Sequence, residues 1–571
     1  MKRVVAASAG LIALVAGGTV GAAELPRKAA KPVYKAEPAP VIALPNWTGF
    51  YFGGNIGSSI GRHRSNVTAL SGEGIDVDTG TPLYDGPRDF MLSPDGINVG
   101  LQAGYNWQFA PQWLVGIEAD FQVSAARDDT NCVLPCGAPM AFVRGFLGGF
   151  FPVTLNQNSV DSKLDWFGTV RGRVAYANGP ALFYATGGFA YGRVTTRSFV
   201  SGSTSFFDLF DDFEFEPENT FEGSFKGSKV KTGWTAGWGI EAQLGGNWSV
   251  KKEYLYIDLG TVSNTFNTVF TSGGSVGDVA AMRTVTSDIR QHVFRTGLNY
   301  KFGGPDAPVA FYNWTGFYIG ANGGYGVGAH STDVLAIAGP DTSADEGDVL
   351  YGGLREFTLS PAGWNGGGQI GYNWHVTPQW VVGVEADLQA GGGRDRVNCM
   401  LPCNLPIALT SDFLPMLLPV RFSEVSTESE LNWFGTVRGR VGRASGPAFF
   451  YFTGGLAYGE VSTRARVEGT TTFLGFGSFS DFAGSLDTSK TKLGWTLGSG
   501  LEAQVAGNWT LKTEYLYVDL GKVENTFSTF FDDGDLAATR TITTEIKEHI
   551  FRAGLNYKFS DFGKAPVVTK Y

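Results

Sequence analysis

The sequence predicts an all-β fold built of two tandem eight-stranded antiparallel transmembrane β-barrels. Three observations predict it: the chain repeats itself once, its strand-like segments alternate apolar and polar residues, and tight turns alternate with long connections. The composition agrees, because 80 of the 571 residues are glycine, 14% are aromatic and only 17% are charged. Such a composition is typical of short aromatic strands joined by glycine-containing turns.

The repeat is clearest in the segment NWTGFY, which occupies residues 46–51 and returns at 313–318. Trp166 and Trp433 stand in matching blocks and lie 267 positions apart, and the spacing of matching residues shortens to 257 near the end of the chain. Insertions and deletions therefore fall between the blocks, as expected where the blocks are structural elements and the gaps are loops. Each copy has about 250 residues, far more than a solenoid repeat. We interpret the chain as a duplication of one complete unit.

The N-terminal segment has the pattern of a secretory signal peptide, with Lys2 and Arg3 before an apolar run and small residues that fit cleavage after Ala23. Beyond it, no stretch approaches the roughly 18 apolar residues that a spanning helix needs. The expected organisation is a signal peptide, a proline-rich periplasmic linker, barrel 1, a linker, barrel 2 and a C-terminal tail. These take residues 1–23, 24–45, 46–302, 303–312, 313–559 and 560–571.

The alternation of short and long connections supports a membrane barrel. Eight strands are predicted in copy one, at 47–61, 96–109, 112–124, 162–177, 180–194, 230–243, 247–260 and 288–302. Tight turns are predicted at Ala110-Pro111, Asn178-Gly179 and Gly245-Gly246, and in copy two at Thr377-Pro378, Ser445-Gly446 and Ala506-Gly507. The other connections of copy one are long, at 62–95, 125–161, 195–229 and 261–287. Short turns at one end and long loops at the other are typical of bacterial outer-membrane barrels.

The alternation within strands indicates which face meets lipid. In WLVGIEADFQ, Val115 and Ile117 share one face, whereas Glu118 and Asp120 share the other. The apolar face is aromatic at its ends, which suits the aromatic girdles of a membrane barrel. A soluble barrel with its charges outside is the alternative, but the signal peptide and the segregated loop lengths favour the membrane form.

Charged residues must then lie inside a narrow lumen. Each copy supplies four acids and four bases, and this balance predicts interlocked ion pairs, because an unpaired buried charge costs several kcal/mol. A barrel of eight strands is normally filled by its own side chains. The predicted cluster in copy one is Glu118, Asp120, Arg171, Arg173, Glu241, Lys251, Glu253 and Arg295; in copy two it is Glu385, Asp387, Arg438, Arg440, Glu502, Lys512, Glu514 and Arg552.

Two alternatives concern the lumen. The charges could line a conducting pore, although pores of ordinary porin width need about 16 strands. The two copies could instead form one sixteen-stranded barrel. The linker at 303–312 contains two prolines where a simple hairpin turn would suffice. This favours two separate barrels.

The cysteines form two close pairs, each within the second long connection of its copy. In an exported chain, CVLPC and CMLPC predict small loop disulfides, between Cys132 and Cys136 and between Cys399 and Cys403. A metal site is the alternative, but no histidine lies nearby in the sequence.

The histidines raise the question of an enzyme. His63 and His330 follow the first strand of each copy, while His292 and His549 begin the last strand. These strands adjoin if each barrel closes, so a metal or hydrolytic site at the rim is one hypothesis, and polar rim residues are the other. The sequence has no catalytic triad, Walker loop or nucleotide fingerprint. We therefore expect no enzymatic activity and no cofactor.

The blocks NWTGFYFGGNIG, GLQAGYNWQ, WFGTVRGRVAYA and NWSVKKEYLYIDLG, with four others, resemble the small outer-membrane surface-antigen and porin family of alphaproteobacteria, relatives of OmpA-like and opacity-type barrels. All of them recur in copy two. The resemblance implies an eight-stranded integral outer-membrane protein with a role in envelope integrity and surface exposure, and some relatives are described as porins or haemin binders. This chain differs in being doubled, in its longer loops, and in carrying the aromatic insertion signal internally at Phe559.

The expected function is therefore that of an integral outer-membrane protein of a Gram-negative bacterium, with periplasmic termini and a structural, surface-exposed role of the antigen or adhesion type. The alternative is a porin-like channel for passive diffusion of small solutes. Expected partners are outer-membrane lipid and lipopolysaccharide, the barrel-assembly machinery, and a surface ligand of the long loops. Nucleic acid is not expected, because the net charge is -10.

Overall fold

A computed structural model describes residues 46–73, 79–83, 89–131, 141–144, 150–207, 215–273, 276–303, 312–340, 347, 349–350, 356–391, 393–398, 420–472 and 478–559. In these ranges no helix is long and apolar enough to cross a membrane. The predicted signal peptide and all four cysteines lie outside the described residues.

Within these ranges, copy one forms twelve strands. They are β1 (Gly49–Gly61), β2 (His63–Ser71), β3 (Asp89–Leu92), β4 (Asp95–Ala110), β5 (Trp113–Ser124), β6 (Arg127–Asn131), β7 (Ala141–Arg144), β8 (Phe150–Asn178), β9 (Ala181–Phe207), β10 (Phe215–Gly245), β11 (Trp248–Ser272) and β12 (Val279–Lys301).

Copy two forms eleven strands in the part of the chain that is described. They are β13 (Gly316–Gly328), β14 (His330–Ala338), β15 (Glu356–Leu359), β16 (Ala362–His375), β17 (Trp380–Ala390), β18 (Arg394–Asn398), β19 (Val420–Ser445), β20 (Ala448–Thr472), β21 (Ser478–Ala506), β22 (Trp509–Phe531) and β23 (Leu536–Lys558).

Each copy closes on itself as an antiparallel barrel. The neighbours run β1-β4-β5-β8-β9-β10-β11-β12, and β12 returns to pair with β1, with Tyr51 opposite Lys301. Copy two runs β13-β16-β17-β19-β20-β21-β22-β23 and closes in the same way, with Tyr318 opposite Lys558. The first strand of each copy therefore pairs with the last strand of the same copy. The two-barrel prediction is confirmed, and a single sixteen-stranded barrel is excluded.

The short connections lie where the sequence predicts them. β8 and β9 are joined through Gly179, whose φ is 58°, and the equivalent Gly446 between β19 and β20 has a φ of 53°. This left-handed backbone is the one that a two-residue hairpin needs and that glycine adopts without a steric penalty. The three predicted tight turns of each copy lie at one end of its barrel, which we call the turn end.

An apolar belt surrounds each barrel beside the turn end. Outward side chains such as Leu101 (58% exposed) and Ile117 (56% exposed) have no protein neighbour to cover them. Aromatic pairs bound the belt: Trp113 with Tyr176 at the turn end and Phe121 with Trp166 at the far end. Eight residues separate the two girdles along β5, or about 27 Å at ~3.3 Å per residue. Because the strands of such barrels tilt by about 40°, this length corresponds to a height of about 20 Å, close to the roughly 25 Å apolar band of a membrane barrel.

The strands continue well beyond the far girdle, which the sequence-based prediction missed. The connections at 125–161, 195–229 and 261–287 were expected to be long loops, yet β8 begins at residue 150, β9 and β10 fill most of the second, and β11 and β12 fill most of the third. The prediction was wrong there because it used lipid-facing apolar residues to recognise strands. Those residues end at the girdle.

The polarity of the barrel wall inverts beyond that girdle. On β11, Thr261, Ser263 and Thr265 point outward and are exposed, whereas Phe266 and Phe270 point inward and are buried. Within the belt the arrangement is the opposite, with apolar groups outside and charges inside. The extension is therefore a water-facing barrel with an apolar core, stacked on a lipid-facing barrel with a polar core.

The two barrels contact each other through equivalent surfaces. Phe294 and Phe551 occupy matching positions in the two copies, and their ring centroids lie 5.6 Å apart. Tyr254 lies 5.5 Å from Phe551, and its equivalent Tyr515 lies 5.4 Å from Phe294. Because each copy presents the same patch to the other, the contact has a pseudo-two-fold axis, as in an isologous dimer.

One pair of residues breaks this symmetry. Lys252 points outward from barrel 1, is only 3% exposed, and donates a hydrogen bond from Nζ to Ser499 Oγ of barrel 2. The equivalent positions carry Thr513 in copy two and Trp238 in copy one. If the barrels separated, Lys252 would face hydrocarbon, at a cost of roughly 2–4 kcal/mol near the midplane. The copies have thus diverged to fit one another.

Replacing the hydroxyl partner of Lys252 should weaken the contact between the barrels. In Ser499→Leu the ammonium group keeps its burial and loses its acceptor, so we expect the free energy of unfolding to fall by about 1–3 kcal/mol. Urea unfolding of the protein in phospholipid vesicles measures this change. In a Lys252→Thr background, which has no buried ammonium, Ser499→Leu should have little effect. An equal loss in both backgrounds would contradict the role assigned to Lys252.

Candidate functional site

The centre of each lumen is built around an arginine from the long strand before the second tight turn. In barrel 1 this is Arg171 on β8, and the strand register places it directly opposite Glu118 of β5. Its guanidinium donates to Glu118 at 2.5 Å, to Asp120 at 3.0 Å and, across the lumen, to Glu253 of β11 at 2.9 Å. One cation thus binds three carboxylates from two sides of the barrel. Charge-assisted contacts of this kind are the strong ones.

Two further cations, Lys251 and Arg295, make the number of cations at this level of the lumen equal to the number of carboxylates. Lys251 Nζ lies 2.6 Å from a Glu118 oxygen. Arg295 lies 2.8 Å from Asp120 and 2.6 Å from Glu253, and the register pairs it directly with Glu253. The carboxylates are therefore each shared between cations, which offsets the desolvation of the whole cluster.

A second, smaller group lies nearer the turn end. Arg173 donates to Glu241 at 3.0 Å, and its guanidinium carbon lies 4.9 Å from the centre of the Tyr51 ring. Ser249 and Asn299 donate to the other Glu241 oxygen at 2.6 and 2.8 Å. Buried hydrogen-bonded networks of this kind rigidify a polar core.

Barrel 2 repeats this geometry. Arg438 donates to Glu385 at 2.5 Å, to Asp387 at 2.9 Å and to Glu514 at 2.9 Å. The remaining equivalents pair as well: Arg552 with Asp387 and Glu514, Lys512 with Glu385, and Arg440 with Glu502. The structure thus places all sixteen residues of the sequence-predicted cluster inside the two lumens, each at most 5% exposed.

Sequence reasoning missed the apolar layer above the ion pairs. In barrel 1, Phe167, Leu255 and Val293 point inward on the same strands as the charges and belong to one buried cluster. Phe434, Leu516 and Ile550 form the equivalent layer in barrel 2. On each of these strands, every second residue points inward, and these residues change from charged to apolar toward the far girdle. This change in the sequence could have predicted the apolar layer. A charged layer and an apolar layer therefore fill the lumen at two successive heights.

The tyrosines of the lumen were also missed. Tyr51 donates from its hydroxyl to Glu118 at 2.7 Å, and Tyr184 donates to Glu253 at 3.0 Å. Tyr318 and Tyr451 repeat these bonds in barrel 2. Each hydroxyl supplies a donor that the carboxylates need beyond their cations.

The rim histidines do not come together as a site. The last strand passes beside the first as expected, but His63 points into the barrel, whereas His292 points outward and stacks on Tyr325 of the other copy with ring centroids 5.3 Å apart. His63 Nδ1 lies 2.9 Å from Ser162 Oγ, and burial lowers the pKa of His63 to about 4.

In copy two the equivalent His330 contacts both a hydroxyl and a carboxylate. Its Nδ1 lies 2.9 Å from Ser429 Oγ and its Nε2 lies 3.1 Å from Glu548 Oε1. Copy one has Gln291 in place of Glu548. His330 is 0%, Ser429 1% and Glu548 2% exposed, so a substrate has no access to this group. The residues act as a buried hydrogen-bonded cluster. Over the described parts of the chain, no group of three or more His, Cys, Asp or Glu side chains is arranged to hold a metal ion.

The closed antiparallel barrels, their outward apolar belts between aromatic girdles and their polar cores define an integral outer-membrane β-barrel protein. Comparison with known families agrees. The chain matches the outer membrane protein beta-barrel domain family over residues 38–302 and again over 307–559, and it belongs to that family. It is located in the outer membrane of a Gram-negative bacterium.

Curated relatives match one barrel at a time. The chain is similar to the 31 kDa outer-membrane immunogenic protein of Brucella melitensis, with 34% identity over 261 residues that cover 44% of this chain and 87% of the relative. A 22 kDa outer membrane protein of Rhizobium leguminosarum is 32% identical over 207 residues, covering 36% of this chain and 64% of the relative. These relatives bear out the family resemblance seen in the sequence.

Solved structures give weaker matches. A Pseudomonas aeruginosa FadL homologue covers 90% of this chain and 91% of its own, with 9% identity and a TM-score of 0.22. Neisserial surface protein A covers 45% of this chain and 98% of its own, with 11% identity and a TM-score of 0.18. Scores this low support no argument from structural similarity.

Removing the central arginine of a lumen should destabilise its barrel. In Arg171→Ala, three buried carboxylates share one cation fewer, so we expect a loss of about 3–5 kcal/mol in the free energy of unfolding. Urea unfolding in lipid vesicles measures it. Arg290→Ala is the matched control, because that side chain is 50% exposed and lies 3.6 Å from Asp258. A surface pair of this kind contributes at most about 1 kcal/mol. Similar losses of unfolding free energy in the two variants would contradict the stabilising role assigned to the lumen ion pairs.

Proposed function

We propose that this chain is a structural, surface-exposed outer-membrane protein without enzymatic activity, whose two barrels are closed membrane anchors that carry water-facing extensions. The observation that carries the proposal is the two-layer filling of each lumen. Balanced ion pairs occupy the level of Arg171 and Arg438, and apolar side chains cover them at the level of Phe167 and Phe434. An ion crossing the barrel would have to break the first layer and then enter the second without solvation.

The filled lumens argue against the alternative, passive diffusion of small solutes. A diffusion channel keeps a continuous water path, and wide paths of that kind occur in barrels of about 16 strands. Barrels of eight strands leave only the volume that their own side chains fill.

Surface exposure is supported by the extension and by the relatives. The outward face of the extension is rich in Thr and Ser that are exposed to water, as on β11. The relatives in Brucella are named immunogenic proteins, which is consistent with exposure at the cell surface. An antigen or adhesion-like role for this chain would use the outward faces and connections of the extension, where partner specificity normally resides.

Lipopolysaccharide is a proposed partner of the belt's outer edge. Several cations lie just beyond the far girdle and remain partly exposed, including Lys163 (39%), Arg193 (50%) and Arg290 (50%). Their height matches that of anionic headgroups in the outer leaflet. Lys and Arg at this depth bind such groups by point-charge attraction and hydrogen bonding.

Conductance measurements test the closed state of the lumens. Purified, folded protein inserted into a planar lipid bilayer should give no discrete current steps, because both layers of each lumen exclude ions. A sixteen-stranded general porin inserted under the same conditions is the positive control. Reproducible steps with the wild-type chain would contradict the proposal and favour the diffusion channel.

Surface labelling tests the orientation of the extension. Ser224→Cys places a thiol on the exposed outer face of β10 beyond the far girdle, and Gln112→Cys places one at an exposed turn-end position. A membrane-impermeant maleimide added to intact cells should label the first variant and spare the second, while lysed cells should show both. Unsubstituted protein measures the background from the native cysteines. Labelling of Gln112→Cys alone on intact cells would reverse the orientation and reject surface display.

A further inference from the structure

An open groove of about 670 Å³ lies on the outer surface of barrel 1 where barrel 2 meets it. Its lining comes from β1 and β12, from Leu244 of β10 and Trp248 and Val250 of β11, and from one residue of barrel 2. The lining includes Gly54, Leu244, Val250, Thr296, Leu298 and Phe450. A volume of this size is typical of small-molecule sites.

The groove exists because of a missing side chain. Gly54 stands in the outward row of β1 between Phe52 and Ile56, both of which are large and exposed. A Cβ at Gly54 would have only the Gly100 carbonyl oxygen within 4 Å, at 3.8 Å. The glycine thus leaves a depression in a wall that is otherwise covered by bulky groups, and no backbone strain requires it there.

With the turn end on the periplasmic side, the orientation proposed above, the groove lies at the depth of the inner leaflet. Trp248 and Tyr300, whose ring centroids are 5.1 Å apart in the turn-end girdle, form its lower limit. Thr296 forms its upper part and pairs with Lys252 in the strand register, close to the middle of the belt. The groove therefore extends from headgroup depth at the turn end to the bilayer midplane. The inner leaflet of an outer membrane consists of glycerophospholipids.

Water is a poor occupant of this space. The volume corresponds to roughly 20 water molecules at ~30 Å³ each, and each would need two to four polar partners. The lining side chains are almost all aliphatic or aromatic. An alkyl chain, in contrast, needs only apolar contacts, and in the groove it gains dispersion contacts with both barrels, where a lipid on the open barrel surface gains them with one.

The groove is continuous with the contact between the barrels. Val250 belongs to the buried apolar cluster that joins the copies, and Leu244 and Phe450 pack against it. Ile240 of barrel 1 and Leu501 of barrel 2 lie in the same cluster. A chain in the groove would thus extend an existing interface and touch both barrels at once.

From this continuity, depth and apolar lining we propose that the groove is a binding site for an acyl chain of an inner-leaflet glycerophospholipid. The bound chain completes the packing between barrel 1 and Phe450 of barrel 2. This inference goes beyond the proposed function, because a closed anchor needs no specific lipid.

Photo-crosslinking tests the proposal. The full chain is reconstituted into phosphatidylethanolamine vesicles that contain a small fraction of a phospholipid with a diazirine in one acyl chain, and adducts are mapped by peptide mass spectrometry after irradiation. We expect adducts in β1 and β12 around Gly54 and Leu298 at least fivefold above those on the far face, such as Ile117 on β5 and Val174 on β8. Equal labelling around the barrel would overturn the proposal, since it would mean freely exchanging lipid only.

Gly54→Leu fills the groove and should reduce the adducts on β12 to the level of the far face. Gly172→Leu is the matched control, because it adds a leucine at an exposed outward glycine of β8, in the turn-end half of the belt and outside the groove. It should leave the adducts on β12 unchanged. Persistence of the β12 adducts in folded Gly54→Leu would overturn the proposal.

A second variant serves if Gly54→Leu does not insert. Leu298 lines the groove and is 44% exposed, so Leu298→Trp narrows the same space without touching the lumen. Leu298→Trp should lower the number of adducts on β1 by the same factor as Gly54→Leu lowers those on β12. Unchanged labelling of β1 in this variant would reject a retained acyl chain.

Discussion

The shared ion-pair layer in the lumen is the interaction on which the rest of this structure depends. A barrel in lipid must point apolar side chains outward wherever its wall meets lipid, so the charged groups of those strands have to be neutralised inside. Arg171 and Arg438 do this by binding three carboxylates each from both sides of the lumen. Such a layer ties distant strands together and also removes the water path. Anchoring and closure are therefore consequences of the same contacts.

The medium that surrounds the barrel wall changes along the barrel axis, whereas the hydrogen-bonded strands continue without interruption. Below the far girdle the wall faces hydrocarbon and the core is ionic; above it the wall faces water and the core contains residues such as Phe266 and Phe270. The apolar layer at Phe167 lies where these two regimes meet. A continuous strand such as β11 can serve both because period-2 alternation specifies two faces and leaves open which face is apolar.

Duplication gives the chain a contact that a separate barrel lacks. The pseudo-two-fold packing around Phe294 and Phe551 uses the same surface twice, yet the pair Lys252 and Ser499 fits in one direction only. Barrel 1 on its own would expose that lysine to lipid. The two copies are thus complementary in a way that two identical barrels could not be, and the groove beside Phe450 arises at the same boundary.

The sequence by itself determined the duplication, the eight membrane strands of each copy, their lipid-facing sides and the sixteen lumen charges, because strand periodicity and turn chemistry are local. Tertiary structure decided which charges pair, since Arg171 and Glu253 meet only when the barrel closes. It also decided that predicted loops are strands, because an inward Phe266 is indistinguishable from an outward one until the solvent on each side is known. The contact of Lys252 with Ser499 likewise joins residues 247 positions apart, a separation at which no local pattern acts.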